Sequence, residues 1–116
     1  MTPARRRRIR LRALLKRQGG LCYWCAEPIK ITGERCAHQA TLDHLEPRDC
    51  PDRERAERQA AACFRCNSSR HHDIWEPHPN VVMILEAAAK REKAELRAKR
   101  RERAEAGGED AAEGAP

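Results

Sequence analysis

Cys63-Phe64-Arg65-Cys66-Asn67-Ser68-Ser69-Arg70 is the stretch on which the fold turns, because its C-x-x-C spacing has a counterpart upstream in Cys22-Tyr23-Trp24-Cys25. Two such pairs supply four thiolates in the two-plus-two arrangement that a tetrahedral structural Zn²⁺ takes up. Disulfides or unrelated free thiols are the alternatives. The segment from Met1 to Gly20 is arginine-rich and lacks the apolar run of an export signal, so a cytoplasmic setting with reduced thiols is expected. Asn67-Ser68-Ser69 matches a glycosylation acceptor that such a chain would not use. Cys36 and Cys50 belong to neither pair and read as bystander thiols, with a weak second site on Cys36, His38 and Cys50 as the alternative.

Composition says why a staple is needed. The chain has 116 residues, enough for one domain. Its hydrophobic share of 40% is largely alanine, aromatic residues are 3%, and charged residues are 36%, so a conventional core would be thin. A structural zinc site contributes about 10–16 kcal/mol in small peptides, enough to offset that deficit. No stretch of about 18 apolar residues is present, which excludes a membrane-spanning helix.

Upstream of the first cysteine pair, Thr2 and Pro3 form a helix start. Leu11, Leu14 and Leu15 then fall at helical spacing, and Gly19-Gly20 ends the run, predicting a helix from Pro3 to Gln18. Between the cysteine pairs, Ala40 to Leu45 partly alternates and predicts a strand that carries Asp43 and His44. Arg53 to Ala62 reads either as helix or, over Gln59 to Ala62, as a second strand pairing with the first. Asn67 to Ile74 is a candidate helix with Asn67 at its head, and a long charged helix is expected from Asn80 to Ala106. The domain reading is therefore 1–78 as the functional domain, 79–106 as a helical arm and 107–116 as a disordered tail.

The net charge is +6. Its cationic part is concentrated in Arg5, Arg6, Arg7, Arg8, Arg10, Arg12, Lys16 and Arg17, a segment with no acidic residue. A solvated helix face is the bland explanation, and contact with a nucleic-acid backbone is the better one. A closed four-cysteine site has no open coordination position, so any chemistry must come from elsewhere. The remaining candidates are Thr41-Leu42-Asp43-His44-Leu45-Glu46-Pro47, then Asn67, Arg70 and His71 after the last zinc cysteine.

Taken together, Cys22-x-x-Cys25 after a glycine pair, Asp43-His44-Leu45-Glu46-Pro47, and Cys63-x-x-Cys66-Asn67-x-x-Arg70 closely resemble the HNH endonucleases with a ββα-metal core. The resemblance runs from about Leu14 to Asp73. It implies a small zinc-stapled α+β domain, with a basic N-terminal helix and a charged C-terminal helix around that core. It also implies hydrolysis of DNA phosphodiester bonds, with His44 as general base and Asp43 and Asn67 holding one catalytic divalent metal, Mg²⁺ or another. His71, one turn beyond Asn67, stands where some relatives place a further metal ligand, and Arg70 where a phosphate-contacting cation is common. The chemistry is self-consistent: imidazole titrates near neutrality and suits water activation, while a hard cation prefers carboxylate and amide oxygens.

In one respect the sequence departs from the family pattern. Relatives carry an Asn about five residues before the third cysteine, where it helps fix the catalytic histidine, and here Arg58 and Gln59 occupy that region. A zinc-dependent nucleic-acid-binding module that does not cleave is the rival reading. Tyr23, Trp24 and Phe64 are expected to pack beside the zinc. DNA is the expected partner, with no membrane and no small-molecule cofactor. Double-strand cutting would call for a homodimer, and the resemblance to compact enzymes of phages and mobile elements implies a host-cell cytoplasm and a phage packaging partner by analogy.

Overall fold

The computed structural model describes residues 1–46, 58–70 and 75–114. Five elements follow in order: α1 (Pro3–Arg17), β1 (Ala40–His44), β2 (Gln59–Cys63), α2 (Phe64–Arg70) and α3 (Pro79–Gly114). The result is a small α+β chain with a two-stranded sheet and three helices. The chain divides into two units, 1–85 and 86–116, so the boundary falls inside α3 rather than ahead of it. The second unit consists of the rest of α3. No helix among the described residues is long and apolar enough to cross a membrane.

α1 begins and ends on local signals. The Thr2 hydroxyl accepts from the Arg5 backbone N–H, Pro3 supplies a preset first-turn φ, and no acidic residue shares that turn. At the other end the chain reverses at Gly19 and Gly20, with φ of +70° and +78°, and the Gly20 N–H returns to the Leu15 carbonyl at 2.9 Å. The positive φ of Gly19 favours glycine, and a Cβ there would stand 3.2 Å from Ile84 Cδ1, which would have to give by a few tenths of an ångström.

β1 and β2 pair antiparallel from Ala40↔Cys63 to His44↔Gln59. The strand alternative for 59–62 is therefore the one realised, because every residue of β2 is buried and small alanines admit close packing from both sides. Cys22, Ile29, Ala40, Ala61, Ala62, Cys63 and Cys66 form the core, with Leu11, Leu14 and Leu15 of α1 packed against it. Gln18, only 2% exposed, covers the outer edge of β2. Its side-chain amide donates to the Ala61 carbonyl at 2.8 Å and accepts from the Ala61 N–H at 2.9 Å, while also donating to the Leu21 carbonyl. On the opposite flank, side chains of α2 donate to the outward carbonyls of β1: Asn67 to Leu42 at 3.4 Å and Arg70 to His44 at 2.9 Å.

Two helix boundaries depart from expectation. α2 starts at Phe64, three residues before Asn67, because the Cys63 sulfur accepts from the Cys66 N–H at 3.3 Å and so acts as the cap. α3 continues past Ala106 to Gly114 into the segment expected to be disordered. Alanine and glutamate are strong helix formers there, against a cost of about 1 kcal/mol for each of Gly107 and Gly108.

Candidate functional site

The four cysteines converge. The sulfur atoms of Cys22, Cys25, Cys63 and Cys66 all lie within 4.8 Å of one another, and Cys25 and Cys63 approach to 3.9 Å. Zn–S bonds of about 2.3 Å put tetrahedral sulfurs about 3.8 Å apart, so a modest contraction of this cluster would close around a zinc ion. The surrounding backbone is built for sulfur acceptors. Cys63 N–H points to the Cys22 sulfur at 3.3 Å, and the hairpin that carries the first pair is closed by Cys22 N–H to Glu27 O and Ala26 N–H to Cys22 O, both 2.9 Å. Ala26 takes a φ of +59° to make that tight return.

Burial pushes the Cys22 thiol up to about 11 and raises that of Cys66 as well, in each case against the cost of a desolvated thiolate. At Cys25, burial also pulls upward, but the Glu27 backbone N–H and the neighbouring thiols outweigh it and lower the pKa. A metal ion supplies the charge that lets all four ionise together.

Beside the cysteines lies a polar cluster on β1 and α2. Asp43 is 2% exposed and Arg70 4% exposed. Arg70 donates through Nε to Asp43 Oδ2 at 3.1 Å and through Nη2 to Oδ1 at 2.5 Å, a two-pronged pair. The third partner comes from inside the first cysteine pair: Trp24 Nε1 donates to Asp43 Oδ2 at 2.8 Å, and the Arg70 guanidinium stacks 4.8 Å from the Trp24 ring. Trp75 meets Trp24 edge-on at 6.0 Å. Asn67, the residue after the last cysteine, donates to Thr41 Oγ1 at 3.0 Å, and Thr41 in turn donates to the Ala62 carbonyl at 2.8 Å.

His44 follows Asp43 in the strand, so the two side chains leave opposite faces. It pairs in register with Gln59, and its Nε2 is shielded from solvent. Gln59 Oε1 accepts from Arg10 Nη1 at 3.1 Å. A cavity of about 180 Å³ opens on this side, lined in part by Leu45, Gln59, Tyr23 and Arg17.

The sequence-derived residues are thus sorted. The cysteine quartet is assembled as expected, and Asp43 and Asn67 stand on facing elements. Arg5, Arg6, Arg7, Arg8 and Arg12 lie exposed along α1, whereas Arg10 is half-buried and engaged with Gln59. Arg70, expected to contact phosphate, is buried against the Asp43 carboxylate, which demands a counter-charge that Arg70 supplies. Asp43 correspondingly has both carboxylate oxygens occupied by donors. His71 and Cys50 lie outside the described residues. Sequence reasoning missed Trp24 as a donor to Asp43 and Gln18 as the edge cover of β2. A tryptophan within a cysteine pair was the available signal for the first, and nothing local announced the second. No family model matches the chain, and neither the curated proteins nor the solved structures contain a match.

Proposed function

We propose that this chain is a zinc-stapled, metal-dependent DNA endonuclease of the HNH type, with β1, β2 and α2 as its ββα-metal core. The observation that carries the reading is the way α2 leaves the second cysteine pair and lays Asn67 against β1, at Thr41 and Leu42, next to the Asp43–His44 pair. Residues distant in sequence but adjacent in the family pattern thereby share one small unit. Within it, His44 is the group that accepts the proton of the attacking water, a role that requires its imidazole, now shielded at Nε2 on the face opposite Asp43, to turn toward the Asp43 side. Asp43 and Asn67 offer a carboxylate and an amide oxygen, a donor set suited to a hard divalent ion. When bound, that ion supplies positive charge to the departing oxygen of the phosphodiester. The exposed arginines of α1 hold the DNA backbone without selecting sequence, which makes affinity fall steeply with salt.

The test is nicking of supercoiled plasmid by the zinc-loaded chain with Mg²⁺ or Mn²⁺ at fixed salt. Wild type is expected to nick, and His44→Ala and Asn67→Ala to lose cleavage while retaining binding. Binding without cleavage in any divalent metal would instead establish the second reading, a zinc-dependent nucleic-acid-binding module. The occupied Asp43 carboxylate and the shielded His44 Nε2 are the observations that favour it.

A further inference from the structure

The Asp43 carboxylate has two claims on it. On the functional reading above it holds a divalent cation, yet in the structure it is already neutralised by a cation of the protein's own. Arg70 meets both oxygens, at 3.1 Å and 2.5 Å, and Trp24 adds a third donor at 2.8 Å. A Mg²⁺ ion needs an oxygen lone pair at about 2.0–2.1 Å, and a guanidinium fork spends the lone pairs on the same edge of the carboxylate. Two positive charges sharing that edge would also repel, strongly so in a site with only 2% and 4% exposure of the paired residues.

We propose that Arg70 is a resident counter-cation, and that a divalent ion reaches Asp43 by displacing it rather than by adding to it. This rests on the reading of Asp43 as a metal-holding residue. Exchange keeps the buried carboxylate neutralised in both states, which an empty acidic site at this depth would not. Arg70 is placed to make it at the end of α2, where its guanidinium also faces the Trp24 ring and the His44 carbonyl. Once displaced, its fork is available to a phosphate oxygen. The expectation of a phosphate-contacting Arg70 and the buried pair seen here then describe the two ends of one exchange.

Trp24 reports the event, because its indole N–H and the guanidinium share Asp43 Oδ2. In the zinc-loaded protein, Mg²⁺ titration followed by ¹H–¹⁵N spectroscopy is expected to move the Trp24 Nε1–H and Arg70 Nε–H resonances with one common midpoint. A protein that nicks plasmid in Mg²⁺ while both resonances stay in place would overturn the exchange and leave the nuclease reading standing. Movement without nicking would uphold the exchange and remove that reading, and neither movement nor nicking would overturn both. Arg70→Gln gives an independent check through Mn²⁺ binding measured by electron paramagnetic resonance. Removing the competitor should tighten Mn²⁺ by about tenfold or more, and unchanged or weaker binding in a folded variant would refute displacement.

Discussion

The two ends of the sheet are held by different physics. At the Ala40↔Cys63 end, four sulfurs converge and hold the fold through donors fixed by short-range C-x-x-C spacing. At the His44↔Gln59 end, the polar side chains are fixed by partners scattered along the chain: Trp24 and Arg70 on Asp43, Arg10 on Gln59. The first end offers four sulfur donors that could hold a metal ion, and the second rests on charge and hydrogen bonding in a thin core. The comparison teaches that stability and polar chemistry are separated along a strand of five residues, and so can be perturbed separately.

The largest way to break that separation is at the sulfur end. Cys63→Ser, or chelation of the zinc-loaded chain, should abolish cooperative unfolding altogether, since about 10 kcal/mol or more of site energy exceeds what so small a core supplies. Circular dichroism melts check this. A variant that still melts cooperatively without metal would show that the core stands alone.

At the other end, Arg70→Ala strands a buried carboxylate and should cost about 3–5 kcal/mol. Adding Asp43→Asn should recover much of that loss, which urea denaturation in a double-mutant cycle would measure. Additive losses would mean that the pair does not interact as drawn.

Protons sharpen the comparison next. The Cys22 and Cys66 thiols are both raised by burial, so in the metal-free fold both keep their protons at neutral pH and zinc must displace them. Zinc affinity is therefore expected to rise with pH below the Cys22 value of about 11, by about tenfold per unit for each thiol proton that the metal displaces. Calorimetry in buffers of different ionisation enthalpy counts those protons directly. The smallest effect is expected from Gln18→Ala, at about 1–3 kcal/mol, because it strips the buried Ala61 N–H of its acceptor while Tyr23 N–H still serves the Ala61 carbonyl. Hydrogen exchange at Ala61 should accelerate accordingly.

What was legible in the sequence was what short-range chemistry dictates. Thr2-Pro3 and Gly19-Gly20 bracket α1, the cysteine spacing announces the metal cluster, and ATLDH reads as β1. The start of α2 was misplaced because Asn67 is a good capping residue by propensity, but the Cys63 sulfur takes that role four residues earlier. Of the polar cluster, Asp43, Asn67 and Arg70 stood out in the sequence, whereas Trp24 as a member and the wiring among them did not. Asp43 was visible as a candidate ligand, yet its bonds to Trp24 and Arg70 span 19 and 27 residues, and only the assembled fold brings those groups together. Arg70 read as a phosphate-contacting cation because sequence position alone does not reveal that it faces a buried carboxylate.

The cover over both flanks of the sheet bears on how copies of this chain could associate. Two-stranded ribbons ordinarily present open backbone rows that recruit further strands, which is the usual route to aggregates and to strand-exchanged dimers. Here Ala61 has its outward N–H and carbonyl taken by Gln18, and the outward carbonyls of Leu42 and His44 are taken by Asn67 and Arg70. Self-assembly through β-pairing is thereby blocked at those positions. At those positions two copies of the chain would meet through helix faces and side chains rather than through the backbone of the ribbon.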